Sequence, residues 1–183
     1  MEVILSLLAL IAFILLIPYA RFALKRIIFY IKLRAACKKT DARCYRNKPT
    51  WIFSTFKNQN CDFYIETRDA IFSVKLAEAM VRRAEITFTD ALLCYLKSYR
   101  WSILPYLWMS VQPKAYILPD YDFNYKLREN FSAKPIVPVL LILPMPAILK
   151  LRKDGIEFEL QNGTVIADKF TVYSGEGFLN MLK

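Results

Sequence analysis

The chain has 183 residues, is 56% hydrophobic and 15% aromatic, carries a net charge of +10 and has no histidine. That excludes a disordered chain, most zinc sites and every catalytic pair built on an imidazole. The four glycines all lie at Gly155 or later, so neither a P-loop nor a dinucleotide-binding loop is present, and the four cysteines lack CxxC spacing, which suits scattered thiols in a reducing compartment.

Residues 3–20, VILSLLALIAFILLIPYA, run without a charge. Their length reaches the lower end of the ~17–25 residues that cross a bilayer. Glu2 precedes them and Arg21, Lys25 and Arg26 follow, flanks that do not suit a secretory signal. The segment therefore reads as a transmembrane anchor. Residues 21–48 then hold ten basic residues against the single acid Asp41, whereas from residue 49 onward sixteen basic residues meet fourteen acidic ones. The excess charge sits beside the anchor. By the positive-inside rule this implies a single-pass protein of the cell membrane, with the N-terminus outside and a cytoplasmic domain. The same distribution argues against nucleic acid as a partner, because a DNA-binding domain spreads its charge over its folded face.

Residues 21–39 continue the helical pattern as a basic amphipathic helix. Arg21, Lys25, Arg26, Lys32, Arg34, Lys38 and Lys39 are the candidate membrane-interface residues, with the anionic inner leaflet as partner. Leu24, Ile27, Ile28 and Ile31 form the apolar side, which either meets lipid or lies on the domain.

From residue 49 to 183 the pattern predicts an α+β domain with a mixed, mainly antiparallel sheet and a short C-terminal helix. Period-two alternation marks strands over 50–56, 62–67, 70–79 and 84–90, arranged as an antiparallel meander. Residues 91–113 are apolar but interrupted by Lys97, Arg100 and Pro105, so they do not read as a second span. Tyr99, Trp101, Tyr106 and Trp108 in this segment are candidates for core packing or for a partner or bilayer interface. The run from Val137 to Leu143, set between prolines, reads as a strand buried on both faces. Asn162-Gly163 predicts a hairpin between the last two strand-like segments, and GEGFLNMLK a terminal helix.

One hairpin carries a chemical suggestion. With a turn at Arg68-Asp69, Ile65 pairs with Phe72, Phe63 with Val74 and Asp62 with Lys75. Asp62 and Lys75 then form a cross-strand ion pair, worth a fraction of a kcal/mol on an open sheet face. The arrangement resembles the PD-(D/E)xK, or restriction-endonuclease-like, superfamily. In that family an aspartate opens one strand and a carboxylate-x-lysine motif follows on the next. The resemblance implies a Mg²⁺-dependent nuclease, with Asp62 as metal ligand and Lys75 assisting. Ser73 stands where the second carboxylate belongs, and Cys61 where proline is usual. The segments VPVLLILPMPA and YSGEGFLNML are also similar to uncharacterised membrane-anchored bacterial proteins, which implies location and no activity. The expectation from the sequence is a membrane-tethered binding or scaffold module for an unknown protein partner, with no cofactor. The alternative is a membrane-anchored nuclease using Mg²⁺.

Overall fold

The computed structural model describes residues 2–47, 51–52, 54, 57–77, 84–89, 93–98, 114–124, 134–143 and 148–183. They form an α+β fold of two mixed sheets and two helices. Helix α1 runs unbroken over Glu2–Lys39. Strand β1 (Arg43–Arg46) follows, then β2 (Phe63–Glu66) and β3 (Ile71–Ala77). Next come β4 (Ala84–Thr89), β5 (Leu93–Ser98), β6 (Lys114–Ile117) and β7 (Ile136–Ile142). The chain closes with β8 (Ile148–Lys153), β9 (Ile156–Glu159), β10 (Thr164–Ile166), β11 (Phe170–Ser174) and α2 (Gly175–Met181).

The first sheet has the order β1-β2-β3-β7-β11-β10, and the second β6-β5-β4-β8-β9. Strand β7 lies parallel to both β3 and β11, and β4 parallel to β8. The other pairings are antiparallel. The expected meander is therefore split. After β3 the chain leaves the first sheet and β4 enters the second, and the step recurs from β7 to β8. Strand alternation reports which residues are buried; it does not report which sheet a strand joins.

Three layers result. Alternate residues of β7 serve both faces of the first sheet: Val139 and Leu141 meet the helices, while Leu140 and Ile142 meet the second sheet. All four are fully buried, which is why this segment reads as a continuous apolar run. Phe29, Leu33 and Cys37 of α1 and Phe178 of α2 complete the helix-side core. Ile86, Phe88 and Leu149 complete the core between the sheets.

Three further expectations change. The domain does not begin at residue 49 as expected, because α1 contributes core side chains and β1 is an edge strand of the first sheet. The strand expected at 50–56 is a helical turn at Trp51 and Ile52, where Trp51 fills the space between Tyr30 and Phe63. Asn162-Gly163 does not close a hairpin but carries the chain from β9 in one sheet to β10 in the other. The β8–β9 hairpin turns instead at Asp154-Gly155, both at positive φ, as its tight turn requires.

Among the described residues no helix is long and apolar enough to cross a membrane. Residues 3–20 form the first half of α1, and the side chains of residues 11–19 lie outside the described set. Tyr99, Trp101, Tyr106 and Trp108 also lie outside it.

Candidate functional site

The β2–β3 hairpin has the register that its alternation demands. Phe63 pairs with Val74, Tyr64 with Ser73 and Ile65 with Phe72. Thr67 N donates to Ala70 O at 2.9 Å and Asp62 N to Val74 O at 2.8 Å. This brings Asp62 and Lys75 together: Lys75 Nζ lies 3.0 Å from Asp62 Oδ2. The pair is not on an open face, however. Asp62, Lys75 and the neighbouring Ser54 are all buried. Lys75 also donates to Ser54 Oγ and to Leu76 O, and Leu76 N donates to Asp62 Oδ2 at 2.8 Å.

Among the described residues Asp62 is not joined by the set of ligands that a Mg²⁺ site needs. Asp62 Oδ2 already accepts from an ammonium and from a backbone amide. Ser73, in the second-carboxylate position, donates its hydroxyl to Phe123 O. Tyr64 donates to the same carbonyl at 2.9 Å, and burial pushes both the Tyr64 hydroxyl and the Cys61 thiol above their ordinary pKa values. No group of three acidic, thiol or imidazole side chains converges among the described residues. The cluster around Asp62 ties β3 to the segments at Ser54 and Phe123.

The side chain of Arg21 lies outside the described residues; the other basic residues of α1 divide into two sets. Lys25, Lys32, Arg34, Lys38 and Lys39 are exposed. Arg26, expected at the lipid interface, is fully buried. Its guanidinium donates to Trp51 O at 3.1 Å, Ile52 O at 2.9 Å and Leu143 O at 3.2 Å, with Ala77 O at 3.5 Å. The physical reason is its position. Arg26 falls on the same helix face as Phe29, Leu33 and Cys37, three, seven and eleven residues on, and that face is against the sheet. It meets the carboxyl ends of β3 and β7 and the turn at Trp51 and Ile52, and a planar fork of five donors suits several carbonyls at once. The series Phe29–Leu33–Cys37, read backwards by one turn, was the available signal.

The opposite face of α1 is apolar and uncovered. Leu24 is 55% exposed, Ile27 39%, Ile28 45% and Ile31 62%. Of the two alternatives left by the sequence, most of this face does not lie on the domain; Ile28 alone of the four lines a groove against α2. Lys25, Lys32 and Lys39 border the face on one side, while Lys38 continues the Leu24–Ile31 row and Arg34 the row of Ile27, two turns farther along α1.

Between α1 and α2, at the carboxyl ends of the parallel strands β7 and β11, runs a groove. Its first part, about 300 Å³, is lined by Ile28, Phe29, Leu143 and Leu179 with Lys25 and Lys32 at the rim. The second, about 530 Å³, shares Lys32, Glu176 and Leu179 and continues to Lys39, Asn180 and Lys183. Open α/β sheets commonly bind ligands at this end of their parallel strands. No family model, no curated protein and no solved structure matches the chain.

Proposed function

We propose that this chain is a membrane-tethered binding or scaffold module, with residues 3–20 as a single span and the two-sheet domain held on the cytoplasmic side. One observation carries the reading: α1 has two opposed apolar faces. Arg26, Phe29, Leu33 and Cys37 are buried against the sheet, while Leu24, Ile27, Ile28 and Ile31 are exposed beside the cation row of Lys25, Lys32 and Lys39 and ahead of Arg34 and Lys38. An apolar helix face bordered by lysine and arginine suits the bilayer boundary, where the long stems lie along lipid and the charged ends reach the headgroups. The exposed face continues toward the uncharged stretch of the same helix, at the exposed Leu5, Leu7 and Leu10. The charge rule orients the domain to the cytoplasm.

Flotation of the full chain with lipid vesicles tests the tether. The chain is expected to float with phosphatidylcholine vesicles and to resist alkaline extraction. A chain that stays at the bottom of the gradient overturns the reading. Orientation is tested with an introduced cysteine, Lys169→Cys, on the exposed face, since Cys37 and Cys61 are buried. Labelling of this cysteine in intact cells by an impermeant reagent overturns the cytoplasmic assignment.

A further inference from the structure

We propose that the groove between α1 and α2 seats one anionic phospholipid, its acyl chain in the apolar part and its phosphate among the lysines beyond. The inference rests on the membrane reading above and names a particular lipid contact within it. Three observations support it. First, the groove has a polarity. Ile28, Phe29, Leu143 and Leu179 line the part nearer residues 3–20, with Lys25 and Lys32 at its rim, while Lys39, Thr40, Asn180 and Lys183 join Ala35 and Ala36 in the part farther along α1. A lipid leaving the bilayer beside α1 presents its chain to the first part and its headgroup to the second.

Second, the charge is one-sided. Lys25, Lys32, Lys39 and Lys183 line the groove against the single acid Glu176. Lys25, Lys32 and Lys39 recur every seventh residue, so they fall in one row two helical turns apart. Lys183 Nζ donates to Asn180 Oδ1 at 2.9 Å, which holds it on the α2 side of the groove. Third, the groove lies on the flank of α1 that borders the exposed Leu24–Ile31 face, so lipid seated in it is continuous with lipid against that face. Gly175 shapes the floor: a Cβ there would stand 2.9 Å from Leu143 Cδ1 and 3.2 Å from Phe29 Cδ2.

The test uses the full chain purified in a neutral detergent. Phosphatidylglycerol and phosphatidylcholine of the same chain length are added, and retained lipid is counted by native mass spectrometry. One phosphatidylglycerol per chain is expected to survive detergent removal, in preference to phosphatidylcholine. Replacing Lys32 and Lys39 together by alanine is expected to weaken retention about tenfold or more, as loss of two cations near a phosphate should. Replacing Arg68 and Lys153 together removes the same charge from exposed positions away from α1 and is expected to leave retention unchanged. Equal weakening by both pairs would reduce the effect to general surface charge and overturn the groove. Displacement of the lipid by millimolar glycerol phosphate would identify a site for a soluble phosphate and also overturn it. Incorporation into phosphatidylcholine nanodiscs is measured beside these. A chain that enters the discs but retains no phosphatidylglycerol overturns the groove alone, whereas one that does not enter overturns the tether.

Discussion

Lys75 and Asp62 form an ion pair across the β2–β3 hairpin with both side chains wholly out of solvent. A charge left alone in such a place costs far more than the pair contributes. Lys75→Met is therefore expected to lower unfolding free energy by about 3–5 kcal/mol in urea titration. The double change with Asp62→Leu is expected to recover much of that loss. A single-variant loss under about 1 kcal/mol would match an exposed pair instead.

Arg26 presents a second buried cation, bound by backbone carbonyls. Arg26→Lys keeps the charge but cannot span Trp51, Ile52 and Leu143 together. It is expected to cost about 2 kcal/mol or more, since hydrogen bonds to charged groups each contribute about 1.5–3 kcal/mol. Arg34→Lys, on an exposed position of the same helix, is expected to change little. Matched urea titrations of the two variants check the difference.

Glu66 gives a pH dependence. Its carboxylate accepts from Lys134 Nζ at 2.9 Å, and that hydrogen bond holds its pKa below the usual carboxylate value. A carboxylate depressed in the folded state stabilises the fold above its unfolded pKa, and that contribution is lost as pH falls through the folded one. Lys134→Ala is therefore expected to flatten the fall in Tm below roughly pH 4.5 and to lower Tm at neutral pH. Identical acid limbs in parent and variant would remove Lys134 as the cause. Lys134 also donates to Thr67 O at 2.8 Å, so part of the neutral-pH loss belongs to the turn.

The Asp154-Gly155 turn supplies a backbone test. A Cβ at Gly155 meets nothing within 4 Å, but its φ is +81°. Gly155→Ala is expected to cost about 1 kcal/mol from conformation alone. Thermal unfolding of the variant measures this, and an unchanged Tm would mean the turn relaxes freely.

Incubated with DNA or RNA and Mg²⁺, the full chain is expected to leave both intact, because among the described residues no group of three metal-ligating side chains gathers at Asp62. Cleavage that Asp62→Ala and Lys75→Ala both abolish would reverse that assignment.

The sequence disclosed what depends on neighbours along the chain. Alternation set the Phe63–Val74 register, and the bounded apolar run over β7 marked a strand covered on both faces. It did not disclose what depends on long-range partners. The sheet that β4 joins is decided by its parallel contact with β8, some sixty residues on. Asn162-Gly163 and Asp154-Gly155 carry equally good turn chemistry, yet only the second closes a hairpin, because β9 pairs with β8 in the other sheet. The burial of Asp62 and Lys75 depends on Ser54, a distant residue that supplies the ammonium with another acceptor. The groove is assembled from helices at opposite ends of the chain, so no local motif announces it.

Helix α1 passes from the uncharged stretch into the domain core with no break, and Arg26 fixes its rotation against Trp51, Ile52 and Leu143. A module on a flexible leash sweeps a volume set by the length of the leash. On the tether proposed above, this one would ride on a shaft. The 19 residues from 21 to 39 rise about 28 Å at 1.5 Å each, so helix tilt would set the height and heading of the domain over the bilayer. Under that proposal its collisions would be confined to a thin shell at one altitude, and a partner anchored at a different height would not meet it however long both remained in the same membrane.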